Sequence, residues 1–365
     1  MNAPKHQRVY SALRQELQAG RWKPGQRLPS EAELVVRFAA SRITVGRAVR
    51  DLQLAGLVER RPGAGTFVKT QRAGRLSFGL LIPDLGETEI FEPICQGMMA
   101  SPLAREHALI WGSVDDAASS KEEQAWQLCR HYIERQVSGV FFAPVELSPA
   151  SDDVNRRIVH ALDQADVPIV LLDRTVLPYP QRGDHDLVGI DNRRAGFVMT
   201  DHLLQHGAHR VAFVALPNAA ATVDAREAGY REALYACDVA VDRDLIRRLD
   251  PSDREAVRTF MDSSRPDAIL CANDRTAARL MHTLLHLQNA IPDDVRLVGI
   301  DDVEYANLLP VPLTSLRQPT RQIGDAALGA MLDRVRRRDL PARDILLPCE
   351  LVIRASCGAR GGDRR

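Results

Sequence analysis

No run of about eighteen apolar residues occurs in the 365-residue sequence, so no membrane-spanning helix is expected. The opening residues Met1 to His6 hold no apolar stretch of the kind a secretory signal needs, and the expected compartment is the cytoplasm. The six cysteines are Cys95, Cys129, Cys237, Cys271, Cys349 and Cys357, and no two stand at Cys-x-x-Cys spacing. A structural zinc site needs closely spaced soft ligands, so neither a metal nor any other cofactor is expected. Cys271, inside the apolar run Ala268 to Ala272, reads as a buried free thiol. Three catalytic motifs are also missing: the Gly-x-x-x-x-Gly-Lys-Ser/Thr phosphate loop, the Gly-x-Ser-x-Gly nucleophile elbow and the His-Glu-x-x-His zinc pair. No enzyme is therefore expected. His202, His206 and His209 follow one helix face and its end, but no acid accompanies them, and they read as helix-surface histidines.

What is present suits two or three domains with sizeable cores, since 45% of the residues are hydrophobic. The formal net charge of zero hides an asymmetry. Residues 1–72 hold 14 Lys+Arg against 5 Asp+Glu, and the remainder carries the matching negative surplus. A basic head on an acidic body fits a protein that sets one end on a polyanion. A merely solvated basic surface would have the same composition.

Within that head, Val9, Tyr10, Leu13 and Leu17 recur at helical spacing. Gly20 and Pro24-Gly25 end this first helix. Ser30 and Glu33 form a capping box that starts a short second helix through about Phe38. Ser41 caps a third, with Val45, Ala48, Val49 and Leu52 inside, Arg42, Thr44, Arg47 and Arg50 outside, and Gly56 at its end. Two short helices joined by a tight turn, the second basic on its outer face, describe a helix-turn-helix whose arginines reach guanine edges or phosphates. Leu57 to Val68 reads as a hairpin with a glycine-rich tip. Arg60 and Arg61 stand just before the tip, placed as wing arginines that enter a narrow minor groove.

Leu28-Pro-Ser-Glu31, Ser41-Arg-Ile-Thr-Val45 and Gly63-Ala-Gly-Thr-Phe-Val68, in this order, resemble the GntR-type winged helix-turn-helix over residues 7–68. The resemblance implies duplex DNA as a partner. By the resemblance Arg42 and Thr44 contact DNA and Gly65 lies at the wing, and with the helix face, the wing arginines and the motif residues the expected DNA-facing set is Ser30, Glu31, Ser41, Arg42, Thr44, Arg47, Arg50, Arg60, Arg61, Gly63 and Gly65. Ala32 and Gly46 depart from it, because the family commonly has arginine at both places. The domain is expected over residues 1–70, with a linker at 71–76.

From Ser77 the pattern changes to short apolar runs alternating with helical stretches, which argues parallel sheets in an α/β fold. The runs fall into two groups, before and after about Asp186, and so suggest two lobes. Ligands of open parallel sheets bind beyond the strands' carboxyl ends. The residues there are Asp84, Pro144, Asp173-Arg174, Asp191-Asn192, Asn273-Asp274 and Asp301-Asp302. Such acids, amides and arginine match sugar hydroxyls, or simply cap the following helices.

Residues 77–358 resemble the LacI-type effector domain, related to periplasmic sugar-binding proteins. The resemblance is carried by Val170-Leu-Leu-Asp-Arg-Thr175, Val188-Gly-Ile-Asp-Asn192, Arg226-Glu-Ala-Gly-Tyr230, Ala272-Asn-Asp274, Val298-Gly-Ile-Asp-Asp302 and Leu313-Thr-Ser-Leu-Arg-Gln318. It implies a ligand set of Asp173, Arg174, Arg226, Asn273, Asp301 and Gln318. Phe91 is either a ring-packing or a core residue, and Asp84 and Asp191 complete the candidates. The effector domain is expected over residues 77–360. The hinge helix of LacI repressors is not visible in residues 69–76. The combination of a winged helix-turn-helix with a two-lobed, parallel-sheet α/β domain is similar to the arabinose-repressor class. It implies a homodimeric regulator, a repressor by analogy, whose operator grip is set by a sugar-type effector, with no membrane partner. Sugar acids and sugar phosphates stay open, because Arg174 and Arg226 suit carboxylates and phosphates as well as hydroxyls. The alternatives are a sugar-acting α/β enzyme and a non-catalytic sugar-binding protein of the transport type, in which the basic head would have no purpose.

Overall fold

The computed structural model describes residues 5–18, 21–23, 25–54, 57–61, 64–68, 75–83, 89–112 and 120–359. Asp84, Gly63, Gly20, Pro24 and Gly56, and the linker at 71–74, lie outside the described residues. The chain divides into two compact units, Met1–Leu76 and Ser77–Arg365.

The first unit runs α1 (Lys5–Gln18), α2 (Glu31–Phe38), α3 (Arg42–Leu54), β1 (Val58–Arg61) and β2 (Gly65–Val68). Both halves of the capping box at α2 are present. The Glu33 amide donates to Ser30 Oγ at 3.3 Å, and the Ser30 amide donates to Glu33 Oε2 at 2.6 Å. Those bonds, the Ser30 hydroxyl first, hold the Glu33 carboxyl below the usual carboxylate range. Ala39, left-handed at φ 45°, ends α2 and turns the chain, and Ser41 Oγ then accepts the Thr44 amide at the start of α3. Val9, Leu13, Leu34, Val45, Ala48, Val49 and Leu52 bury one another, closed off by Val58 and Val68 of the hairpin. The hairpin is antiparallel, Arg61 opposite Gly65, and Arg27 bridges to Phe67 beside it.

The second unit opens with β3 (Ser77–Leu81), α4 (Phe91–Ala100), β4 (Ala108–Trp111), α5 (Lys121–Glu134), β5 (Gly139–Phe142), α6 (Ser151–Gln164), β6 (Ile169–Leu172) and β7 (Asp186–Ile190). Next come α7 (Asn192–Gln205), β8 (Val211–Ala215), α8 (Ala221–Ala236), β9 (Ile246–Arg248), α9 (Arg254–Ser264), β10 (Ala268–Cys271), α10 (Asp274–His286), β11 (Arg296–Asp301) and β12 (Thr314–Arg317). The chain closes with α11 (Thr320–Arg336), β13 (Asp344–Leu347) and β14 (Glu350–Val352). Among the described residues these form two six-stranded sheets, in the orders β13-β7-β6-β5-β3-β4 and β14-β12-β11-β10-β8-β9. Every pairing is parallel except β12 with β14. Each sheet carries its own apolar core, so the unit is two-lobed.

The lobes do not divide the chain at Asp186, as the apolar runs suggest. Asp186 begins β7, a strand of the first lobe, and the chain crosses over at Asp191. It returns at Gln318-Pro319 to lay α11 and β13 on the first sheet, and crosses again at Pro348-Cys349. The return is anchored at Asp186, which is fully buried and accepts from Arg334 at 2.7 Å and Arg343 at 3.0 Å. Burial alone would raise its carboxyl. The Arg343 and Arg334 hydrogen bonds outweigh that and hold it below the ordinary aspartate range. Three crossovers between lobes form a hinge.

Candidate functional site

Two sites emerge, one in each unit. On the first, Val45, Ala48, Val49 and Leu52 turn α3 inward and leave Ser41, Arg42, Arg47 and Arg50 exposed. Thr44 is half-buried, and its hydroxyl lies 2.8 Å from that of Ser41, so both belong to the cap. Ser30 is likewise committed to Glu33. Arg60 is exposed and pairs with Glu31 at 3.5 Å, and Arg61 pairs with Glu59 and lies 4.8 Å from the Phe67 ring centroid. Exposed pairs of this kind are worth about 0–1 kcal/mol, so a phosphate can displace the acid. Gly65 has φ 115°, and a Cβ there would stand 2.7 Å from Arg27 Nε, so the wing position needs glycine. Sequence reasoning passed over Ile43, an aliphatic side chain exposed at the start of α3.

In the second unit the strand ends converge. Asp173 and Arg174 follow β6, Asp301 ends β11 and Gln318 follows β12. Asp173, Arg174, Arg226 and Gln318 are all buried, and so is the Asp301 side chain. Arg174 Nε donates to Asp173 Oδ2 at 3.2 Å, and the same guanidinium pairs with Glu146. It stands 5.3 Å from the Phe91 ring centroid, and Phe91 itself is buried, so the ring packs on the arginine. Arg226, on α8, donates to Asn192 Oδ1 at 2.8 Å and to the Ala272 carbonyl at 2.5 Å, and lies 3.7 Å from Asp301 Oδ1. Gln318 Nε2 donates to that same Asp301 oxygen at 2.7 Å. Asp301 sits at φ 125° and Asp173 at φ 66°, strained backbone of the kind that gathers at ligand sites.

Burial raises the carboxyls of Asp173 and Asp301 above the ordinary aspartate range. For Asp173 the Arg174 and Arg226 cations pull the other way, and for Asp301 it is Arg226 that does so. Two acceptors in the cluster stay unsatisfied. Asp173 Oδ1 and Gln318 Oε1 are buried and have no hydrogen-bond partner among the described residues. A buried acceptor left unmade costs about 1–3 kcal/mol, so each atom marks a place for a further donor.

The cluster adjoins a cleft of about 220 Å³ lined by Glu89, Glu146 and Leu147 from the first lobe and by Leu216, Val223 and Asn273 from the second. The lobes meet across it. The Leu147 amide donates to Asn218 O at 2.9 Å, the Ala220 amide to Glu146 Oε2 at 3.3 Å and the Tyr305 hydroxyl to Glu89 Oε1 at 3.1 Å. Asn273 lines the cleft and also caps α10, with Oδ1 accepting the Thr276 amide at 2.9 Å. Asp191 is not brought to the cluster. It is exposed and caps α7 by accepting the Arg194 amide at 2.9 Å, so there the capping role prevails. The sequence did not single out Glu146, which pairs with Arg174 two residues beyond the strand-end Pro144, or Asn192 as the partner of Arg226. Alternation of apolar runs marks strand ends but cannot say which neighbours share a charge.

Residues 5–68 match the model for bacterial regulatory proteins of the gntR family, and residues 200–357 match that for a periplasmic binding protein-like domain. The arabinose metabolism transcriptional repressor of Geobacillus stearothermophilus is 26% identical over 364 residues, spanning 95% of this chain and 97% of its own. A solved complex of the transcriptional regulator CelR with cellobiose superposes with TM-score 0.65 at 22% identity, over 90% of this chain and 100% of that one. A LacI family regulator from Enterococcus faecium with bound ribose gives TM-score 0.62 at 22% identity, over 77% and 98%.

Proposed function

We propose that this chain, a DNA-binding transcription regulator that joins a GntR-type helix-turn-helix domain to a periplasmic-binding-protein-like domain, is a repressor released from its operator by a small hydroxylated ligand of monosaccharide size. What carries the reading is the pair of unsatisfied buried acceptors, Asp173 Oδ1 and Gln318 Oε1. One stands on the first lobe and the other on a crossover of the hinge. A sugar hydroxyl donates to each, and a ligand that meets both ties the lobes in one closed arrangement. The cleft beside them, lined by Glu146 and Asn273 but not by the two acceptors themselves, is about 220 Å³, below the roughly 300–1,000 Å³ of drug-sized pockets, which favours one sugar ring. Two copies form a homodimer on a two-fold operator, because two-fold protein symmetry calls for two-fold DNA. Ligand and operator affinities are then linked reciprocally, by about 1–3 kcal/mol in systems of this kind.

The division of labour is tested by paired substitutions read by operator binding and by ligand-induced thermal shift. Arg226→Ala loses the thermal shift and the operator response yet keeps operator affinity. Arg42→Ala weakens the operator and keeps the thermal shift. Asp173→Asn, which keeps the shape of the site, repeats the first result with less cost to stability. Loss of operator binding in folded Asp173→Asn contradicts the reading.

A further inference from the structure

The basic face of α3 does not account for its most outward residue. Ile43 is 86% exposed. At 3.6 residues per turn, the buried stripe of Val45, Ala48, Val49 and Leu52 centres on one side of the helix, and Ile43 stands half a turn from it, at the apex. Gly46, Arg47 and Arg50 follow one and two turns later along the same ridge. Nothing in the fold requires glycine at 46, because a Cβ there would meet only Glu31 Oε2, at 3.9 Å. Glycine inside a helix costs about 1 kcal/mol against alanine, so its place on this ridge points to what approaches from outside. Of the polar side chains in the first turn, Ser41 and Thr44 hold each other in the cap, and Arg42 stands exposed to one side of this ridge. The ridge therefore begins with an aliphatic side chain beside bare backbone and turns basic only at Arg47.

A single exposed isoleucine is ordinary on an arbitrary surface. At the N-terminal turn of a recognition helix it faces the base edges. In the major groove the one apolar group that marks a base is the C5-methyl of thymine. We propose that Ile43, with the clearance Gly46 leaves beside it, reads that methyl group, so that base choice at this point of the operator rests on an apolar contact and not on an arginine–guanine pair. The proposal rests on the DNA-binding reading above.

The test uses the full chain and a duplex enriched by it from random DNA. Each thymine of the enriched site is replaced singly by deoxyuridine, which pairs identically and lacks only the methyl. At one thymine of each repeated half the replacement weakens binding about three- to fivefold, the worth of one buried methyl-sized group, and the other thymines are indifferent. Ile43→Ala, whose side chain supports no packing, weakens binding to the thymine site by a similar factor and no longer distinguishes thymine from deoxyuridine there. Binding with no methyl-sensitive thymine overturns the proposal, as does sensitivity that survives Ile43→Ala, and in both cases DNA binding stands. Failure to enrich any sequence overturns the DNA-binding reading as well.

Discussion

Burial and a named neighbour together set the charge of single side chains in this protein, and the balance differs from one aspartate to the next. Asp186, Asp173 and Asp301 are held by arginines, and two of the three keep carboxyls raised by desolvation. His202 shows the opposite case. It is buried on α7, its Nε2 lies 3.4 Å from Cys357 Sγ, and its ring centroid lies 4.3 Å from that of His206, the two rings tilted by 45°. Burial first, and the His206 charge second, push its pKa down to about 4. The unfolded chain takes up this proton near pH 6.5 and the folded chain only near 4, so the contribution to stability is full above 6.5 and is lost as pH falls through that window. The expected loss is up to about 3 kcal/mol. Denaturant unfolding from pH 7 to 4 should show it as a difference between the native chain and His202→Gln, and parallel profiles would contradict it. This histidine also marks a limit of the sequence. Helical spacing grouped His202, His206 and His209, but it did not reveal that the first faces the core while the last is exposed. Buried cysteines were foreseen at Cys271, whereas Cys237 proves exposed and Cys349 half-buried.

At the scale of elements, α7 and α8 place Arg226. They pack so closely that a Cβ on Gly229 would overlap the Arg193 carbonyl, and one on Gly196 would overlap that of Arg226 itself. Gly229→Ala forces the helices apart and should cost about 1–3 kcal/mol, with the ligand-induced thermal shift reduced because Arg226 moves with α8. Gly329, within α11, has nothing within 4 Å of a Cβ, so Gly329→Ala should stabilise by up to about 1 kcal/mol and leave the thermal shift alone. Thermal unfolding of both variants checks the contrast, and equal effects would refute it. Elements with strong local signals were legible in the sequence. The capping box at Ser30, the cap at Ser41 and the inner stripe of α3 stand where the residues put them, because these signals act within one turn of chain. Strand ends were legible too, as apolar runs stop there. What each polar strand end does was not: Asp191 and Asn273 both cap helices, yet only Asn273 also faces the cleft. That difference depends on long-range packing.

For the molecule as a whole, the asymmetry of charge and the switch of periodicity after residue 76 announce two units, and a family model matches residues 5–68 of the first and residues 200–357 of the second. The return of α11 and β13 to the first lobe was hidden, because a helix pattern does not say which sheet it covers. That return gives the lobes three crossovers and sets Gln318, with its unsatisfied oxygen, on one of them. In the proposed function, a metabolite held in the cleft alters the grip on DNA. The most direct measurement titrates the full chain onto its enriched operator at fixed salt, with and without a saturating sugar identified by thermal shift among pentoses, hexoses, uronates and their phosphates. The saturated protein is expected to bind the operator at least about tenfold more weakly, and the operator to weaken sugar binding by the same factor. Identical operator affinities for the free and the sugar-saturated protein would contradict it.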